Sequence, residues 1–357
     1  MSDRRKEGEE KMAKAIFISA DCWLCVFDLI EPSQLGLGIA LISHRFDIYV
    51  DEHFKTRKWA LKIIHIERKI GENGTKGMEI TNDNRKSLPI PKMQLPRKVT
   101  GFKYIEINYI DRNAIAFLHR FRPIFASCPI NLNICTASDR ILALILHNIW
   151  PMIDKNIYAL ELYAKFFRRL RKFVPSILND FPSLRFFSFY GADPFPEFPC
   201  DDNAMASDGQ AVAKWLFTPF PNNVPKVIKC AFDGGRDWPP KMAALKAAFT
   251  DASSRVNFIV VICFSMSFAA SVVPFALINE LTREQLAFKS TQYTNEFLLI
   301  RRPIARDESK WTKWEKEAFD WEFFDEPNRI YIQMDDENKI GDGLLDATPG
   351  PSDQQQK

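Results

Sequence analysis

Residues 102–135, FKYIEINYIDRNAIAFLHRFRPIFASCPINLNIC, hold two short runs rich in β-branched and aromatic residues around one helical stretch. FKYIEINY (102–109) and INLNIC (130–135) carry residue types that favour extended backbone, and NAIAFLHRFRPIF between them reads as helix. The unit recurs outward. Strands are expected at NIYALEL (156–162), LRFFSFY (184–190), VPKVIKCAF (224–232) and VNFIVVICF (256–264). Helical stretches SDRILALILHNIW, AKFFRRLRKFVPSILNDF, DGQAVAKWLF and PKMAALKAAFTDASS separate them. The first four strands lie about 27 residues apart, and the later gaps widen to about 40 and 32. A strand–helix unit at that period suits a leucine-rich-repeat-like solenoid. A doubly wound sheet would show the same alternation, usually with Gly-rich strand–helix turns, which are absent here. Regular Asn ladders and strict Leu spacing are missing, so the repeats are divergent. The expected fold class is therefore α/β. An N-terminal helical module precedes a divergent leucine-rich-repeat-like βα solenoid, which a small α+β C-terminal part follows.

Boundaries follow from composition. Residues 1–15 read as a charged, disordered leader and 16–60 as the helical module. Residues 61–98 read as a hairpin, KIIHIERKI and MEITN about GENGTKG, then the Pro-rich connector SLPIPKMQLPRK. The repeat region is expected over 99–280. Residues 281–335 hold a second hairpin, LAFKSTQY with NEFLLIRRPI, a helix capped by Asp307 or Ser309, and a strand at RIYIQMDD. Residues 336–357 read as a polar, disordered tail.

The chain of 357 residues is 46% apolar and 26% charged, as ordinary soluble globular proteins are. A net charge of +3 is too mild to argue for nucleic acid or an anionic membrane. The N-terminus has no apolar core of a secretory signal, and the seven Cys are scattered and odd in number. Both features point to a reducing intracellular compartment, cytoplasm or nucleus. Val256 to Ile278 carries no charge over 23 positions. Its β-branched start and the interruptions at Asn257 and Pro274 favour a buried strand over a membrane span.

Little in the chain suggests covalent chemistry. Cys22 and Cys25 form a CxxC with no second ligand pair nearby, so they read as small apolar helix residues. Leu35-Gly-Leu-Gly38 follows no strand and lacks a third Gly. The five His fall in no nucleophile or zinc-protease pattern. No enzyme activity, cofactor or metal is expected. FFRRLRK (166–172) reads as the solvated face of a packed helix, and Trp311, Trp314 and Trp321 as a packing face.

The module at 18–59, ISADCWLCVFDLIEPSQLGLGIALISHRFDIYVDEHFKTRKW, is apolar beyond its own capacity to bury. Cys22, Trp23, Val26, Phe27 and Ile30 fall on one broad helical face, and Pro32 ends that helix. These residues carry a resemblance to the F-box. Ile18 stands where that motif starts with Leu, and Asp21 at its Glu. Val26-Phe27-Asp28-Leu29-Ile30 matches the helix end, and Pro32 with Leu35 the Pro-to-Leu step. Ile42-Ser43-His44-Arg45-Phe46 matches the Val-to-Arg-Trp stretch, and Trp59 the closing Trp. Ser19 departs from the usual Pro. FLLIRRPIARDESKWTKWEKEAFDWE also resembles the C-terminal part of an expanded group of F-box proteins.

The resemblance implies a substrate receptor that docks on a Skp-type adaptor, and through it a cullin, and holds a target protein on the repeats. The implied adaptor contacts are Ile18, Cys22, Trp23, Val26, Phe27, Ile30, Pro32, Leu35, Leu41, Ile42 and Phe46. The alternative is a repeat-type scaffold not engaged with a ubiquitin ligase. Strand residues Tyr104, Glu106, Asn108, Glu161, Arg185 and Phe187 are the target-contact candidates, on the face a solenoid usually uses.

Overall fold

The computed structural model describes residues 18–30, 32–35, 39–40, 42–56, 59–70, 76–81, 87–88, 99–136, 138–192, 195–232 and 237–347. The chain divides into two compact units, Met1–Trp59 and Ala60–Lys357. The leader expected over 1–15 and the candidate Leu41 lie outside the described residues.

The first unit is built on two helices, Ala20–Phe27 and His44–Thr56, with a single turn at Pro32–Gln34 between them. Ser19 is extended and its side chain accepts from the Cys22 N–H at 3.4 Å, so it caps the first helix where the F-box pattern has Pro. Trp23, Phe27 and Ile30 recur at i, i+4 and i+7 and turn inward. Phe27 and Leu35 are fully buried and Val50 nearly so, with Trp23, Ile30, Ile39 and Phe46 packed around them. Trp23 meets Phe46 edge-on at 4.8 Å. Arg45 donates to the Ile18 carbonyl at 3.1 Å, tying the second helix to the start of the first.

The second unit is a mixed α/β structure on one 13-stranded, mostly parallel sheet. Its strands are β1 (Trp59–Ile70), β2 (Lys76–Thr81), β3 (Ser87–Leu88), β4 (Val99–Ile107), β5 (Ile130–Thr136), β6 (Ile157–Tyr163) and β7 (Phe186–Ala192). They continue with β8 (Lys226–Phe232), β9 (Phe258–Phe264), β10 (Phe275–Asn279), β11 (Glu284–Ser290), β12 (Glu296–Pro303) and β13 (Arg329–Met334). The spatial order is β10-β11-β12-β9-β8-β7-β6-β5-β13-β4-β1-β2-β3. From β4 to β9 all neighbours are parallel, and β10 to β12 add an antiparallel meander beside β9.

Helices Arg112–Arg120, Asp139–Asn148, Ala164–Phe173, Asp208–Leu216 and Trp238–Thr250 connect the parallel strands. Their starts are set locally. Asp111 accepts from the Ala114 N–H at 2.7 Å, Ser138 caps Asp139–Asn148, and Ser207 forms a capping box with Gln210. The third of these helices stops at Phe173, short of the expected end at Phe181, because Pro175 disfavours a helical Val174. Arg171 there is buried rather than solvated, and it donates to the Ala206 and Asn203 carbonyls.

Leu160, Phe187, Ile228, Val260 and Leu299 share one face, where Phe167 and Trp215 pack on Phe187. Their neighbours Ala159, Phe186, Val227, Ile259 and Ile300 form a second apolar layer on the other face. That layer is covered by a C-terminal helix, Glu308–Asp320, through Trp311 and Ala318, and by Trp321 just beyond it. Burial on both faces explains the nearly unbroken apolar run FIVVICF of β9.

The part read as 281–335 is built onto the sheet: β11 and β12 extend it, β13 enters it and the C-terminal helix covers it. The expected succession of strand–helix units needs correcting, because β13 lies between β4 and β5, parallel to both. Asn328 clasps that slot. Its Oδ1 accepts from the Phe102 N–H at 2.9 Å, its N–H donates to the Phe102 carbonyl, and its carbonyl accepts from Asn131. Gly101 permits the approach, since a Cβ there would stand 2.6 Å from Asn328 Oδ1.

The start of the expected tail also differs. Ile340 bridges to Ile110, Arg140 donates to the Leu345 carbonyl, and Leu344–Ala347 is helical. Val256 to Ile278 forms β9, the short helix Met266–Ala269 and most of β10. Among the described residues no helix is long and apolar enough to cross a membrane.

Candidate functional site: a polar row and a cleft on the strand face

The register of the parallel strands aligns Glu106, Tyr331, Asn133, Glu161, Ser188 and Lys229 across β4, β13, β5, β6, β7 and β8. Glu161, Ser188 and Lys229 lie two residues beyond Ala159, Phe186 and Val227, so they share the face that the C-terminal helix covers further back. A polar row inside a parallel sheet runs against the apolar rule for such strands, and departures of that kind concentrate at functional sites.

His65 of β1 extends the row, with Nδ1 2.5 Å from Glu106 Oε2. Asn108 Nδ2 donates to Glu106 Oε1 at 2.9 Å, and Asn133 Nδ2 to Glu161 Oε2 at 3.3 Å. Asn131 Nδ2 donates to the Pro327 carbonyl at 2.6 Å. Each amide nitrogen faces a group that only accepts, which fixes the amide's orientation. Among the described residues the buried Oδ1 atoms of Asn108, Asn131 and Asn133 have no hydrogen-bond partner. Asn133 is 3% exposed. The face is therefore rich in acceptors and short of donors. Burial pushes the Tyr331 phenol up, and Cys135, Tyr163, Asp335 and Glu106 push it the same way.

Beside Ser188 the row opens into a cleft of 460 Å³. Its floor comes from Ser188, Lys229 and Val261, and its walls from Tyr293, Glu296 and Phe319. The Lys229 ammonium donates to the Trp321 carbonyl and lies 2.9 Å from Glu322, so two of its three donors and its charge are engaged at the end of the C-terminal helix. Tyr293 stacks on Phe319 at 5.7 Å and 13°. Burial, then the Glu296 carboxylate, pushes the Cys263 thiol up, which keeps it protonated near neutrality and a poor nucleophile. Among the described residues no group of three or more His, Cys, Asp or Glu could hold a metal ion.

Four of the target-contact candidates, Tyr104, Glu106, Asn108 and Glu161, fall on this face. Two do not serve there. Phe187 points to the opposite side and is core between Phe167 and Trp215. Arg185 is buried and committed, with its guanidinium bidentate to Glu317 of the C-terminal helix at 2.8 Å and bonded to Tyr158 Oη at 2.7 Å. Sequence reasoning missed His65, Asn133, Ser188, Lys229, Glu296 and Tyr331. The paired Asn131 and Asn133 inside the apolar run INLNIC are the signal that could have found this row.

In the first unit the adaptor candidates separate by position. Ile18, Cys22, Val26 and Ile42 are exposed. Trp23, Ile30, Pro32 and Phe46 are half-buried. Phe27 and Leu35 are interior, so they hold the unit together and cannot reach a partner directly. Two exposed residues were not singled out as contacts, Leu29 at 88% and Ile48 at 52%. Cys22, Cys25, Val26 and Leu29 recur at i, i+3, i+4 and i+7 and make one outward stripe.

Comparison of the chain with protein-family models, with curated proteins and with solved structures finds no match in any of the three.

Proposed function

We propose that the chain is the substrate receptor of a Skp–cullin–F-box ubiquitin ligase, with its first unit as the F-box and its sheet unit as a divergent repeat-type target holder. The observation that carries this reading is the two-sided first helix. One stripe, Trp23, Phe27 and Ile30, builds the unit's own core. The other, Cys22, Cys25, Val26 and Leu29, is apolar and faces outward. A stripe of that kind on so small a unit suits burial against a partner subunit. The F-box spacing of Ile18, Pro32, Leu35 and Phe46 supplies the identity of that partner, a Skp-type adaptor. The polar row and cleft supply a surface on which a target could be held. The chain itself does no bond chemistry. It accelerates ubiquitin transfer by raising the local concentration of target lysines near a charged conjugating enzyme.

Co-purification tests it. The full chain is expected to capture a Skp-type adaptor and a cullin, and Val26→Asp with Leu29→Asp to abolish capture. Each exposed apolar side chain buried at an interface contributes about 1.5–3 kcal/mol. The double substitution should therefore weaken binding at least ~100-fold, since each factor of ten is about 1.4 kcal/mol. The thermal transition of the sheet unit should not move. Undiminished capture by the double variant, or none by the unaltered chain, refutes the proposal. The second outcome favours a repeat scaffold outside the ligase, the reading that Ser19 in place of Pro keeps open.

A further inference from the structure

We propose that the 460 Å³ cleft at the C-terminal ends of β7 to β9 takes an arginine side chain of the bound protein. The term "bound protein" rests on the receptor reading above, whereas the chemistry of the cleft does not. The cleft lies within the ~300–1,000 Å³ typical of sites that enclose small groups.

Its unspent groups define the occupant. Of the three lining carboxylates, Glu322 is paired with Lys229 and Asp320 with Lys316 at 3.2 Å. Glu296 makes no ion pair or hydrogen bond through its carboxylate among the described residues. Ser188, 8% exposed, lines the cleft with a hydroxyl that makes no hydrogen bond among the described residues. The lone cation, Lys229, is already held by Trp321 and Glu322. Around Glu296 the site thus offers one free negative charge and an aromatic wall.

An anion would meet Glu296, and an apolar group would leave Glu296 unpaired. An ammonium could pair with Glu296, but it is a compact point charge and gains little from a flat wall. A guanidinium is planar and always charged. It can lie along the Tyr293 ring while its fork pairs with the Glu296 carboxylate three residues on. Tyr293 is exposed and backed by Phe319, so its ring is held for such a contact.

The test uses the full chain with labelled Val and Ala methyl groups, titrated with Nα-acetyl-arginine methylamide. Val261 and Ala231 line the cleft and report locally. Saturable shifts at both methyls are expected. The citrulline analogue, of the same shape without the charge, should bind at least 10-fold more weakly. Glu296→Gln should weaken arginine binding at least 10-fold with an unchanged thermal midpoint. Tyr293→Ala, at an exposed site, should weaken it severalfold and serves if the first variant proves unstable. Equal responses to the arginine and citrulline probes overturn the proposal, as does unaltered affinity in these variants or the absence of local shifts. Adaptor capture without any arginine effect removes the cleft assignment alone. Arginine binding without adaptor capture removes the receptor reading and leaves the cleft.

Discussion

Lys226 enters β8 4% exposed, with its Nζ against the Trp215 carbonyl and 4.8 Å from the centre of the Trp215 ring. Among the described residues no carboxylate pairs with it. Burial alone pulls its pKa from 10.5 down to about 7. Above pH 7 the folded chain therefore releases a proton that the unfolded chain keeps until about 10.5. Stability from this residue rises with pH across that window, and below pH 7 the slope vanishes because both states are protonated. The slope is bounded at about 1.4 kcal/mol per pH unit. Cys128 works in the opposite sense above pH 9, because burial pushes its thiol to about 11 and the folded state then holds the extra proton. Lys226→Met should raise the melting temperature at pH 7 and flatten its rise between pH 7 and 9. Parallel pH profiles for the two proteins would refute this. At this scale the sequence was only partly legible. Arg185 and Phe187 looked surface-directed because alternation decides faces only when one face is wet, and β7 is buried on both.

The elements show what local sequence can carry. All six strands expected between 102 and 264 form, since each β-branched and aromatic run declares itself without reference to its neighbours. The placement of β13 could not be read, because pairing between residues more than 190 positions apart leaves no periodic trace. It depends on the clasp of Asn328 over Gly101. Gly101→Val should drive a side chain into Asn328 Oδ1 and break its bond to the Phe102 N–H. Overpacking with loss of a buried hydrogen bond costs about 2–4 kcal/mol. Urea denaturation should register that loss, and hydrogen exchange should quicken first at Ile330 and Ile332. Asn328→Ala should cost a similar amount, and the two together little more than either. Additive costs would place the clasp elsewhere.

For the whole molecule the division falls at Trp59 and Ala60, one residue from the module end expected at 60. That boundary was legible because the helical module and the first long strand differ in period. The continuity of the sheet across 280 was not, because composition shifts there while the hydrogen-bonded ladder does not. Among the described residues of the small unit, the buried apolar side chains are Phe27, Leu35 and Val50. Phe27→Ala should cost about 3–5 kcal/mol, which is comparable to the whole stability of so small a core. Calorimetry of the full chain should show the first unit's transition lost and the sheet unit's retained. Loss of both together would mean that the units unfold as one.

Insertion of β13 between β4 and β5 also bears on the order of biogenesis. The ribosome delivers both walls of that slot about two hundred residues before the strand that fills it. Emerging chains tend to fold from the N-terminus, so two unpaired backbone edges must wait through most of translation. A premature stop between Pro303 and Arg329 would therefore leave a gap in the middle of the nascent sheet rather than a shortened end, and the truncated product would be a client for chaperones instead of a smaller stable protein.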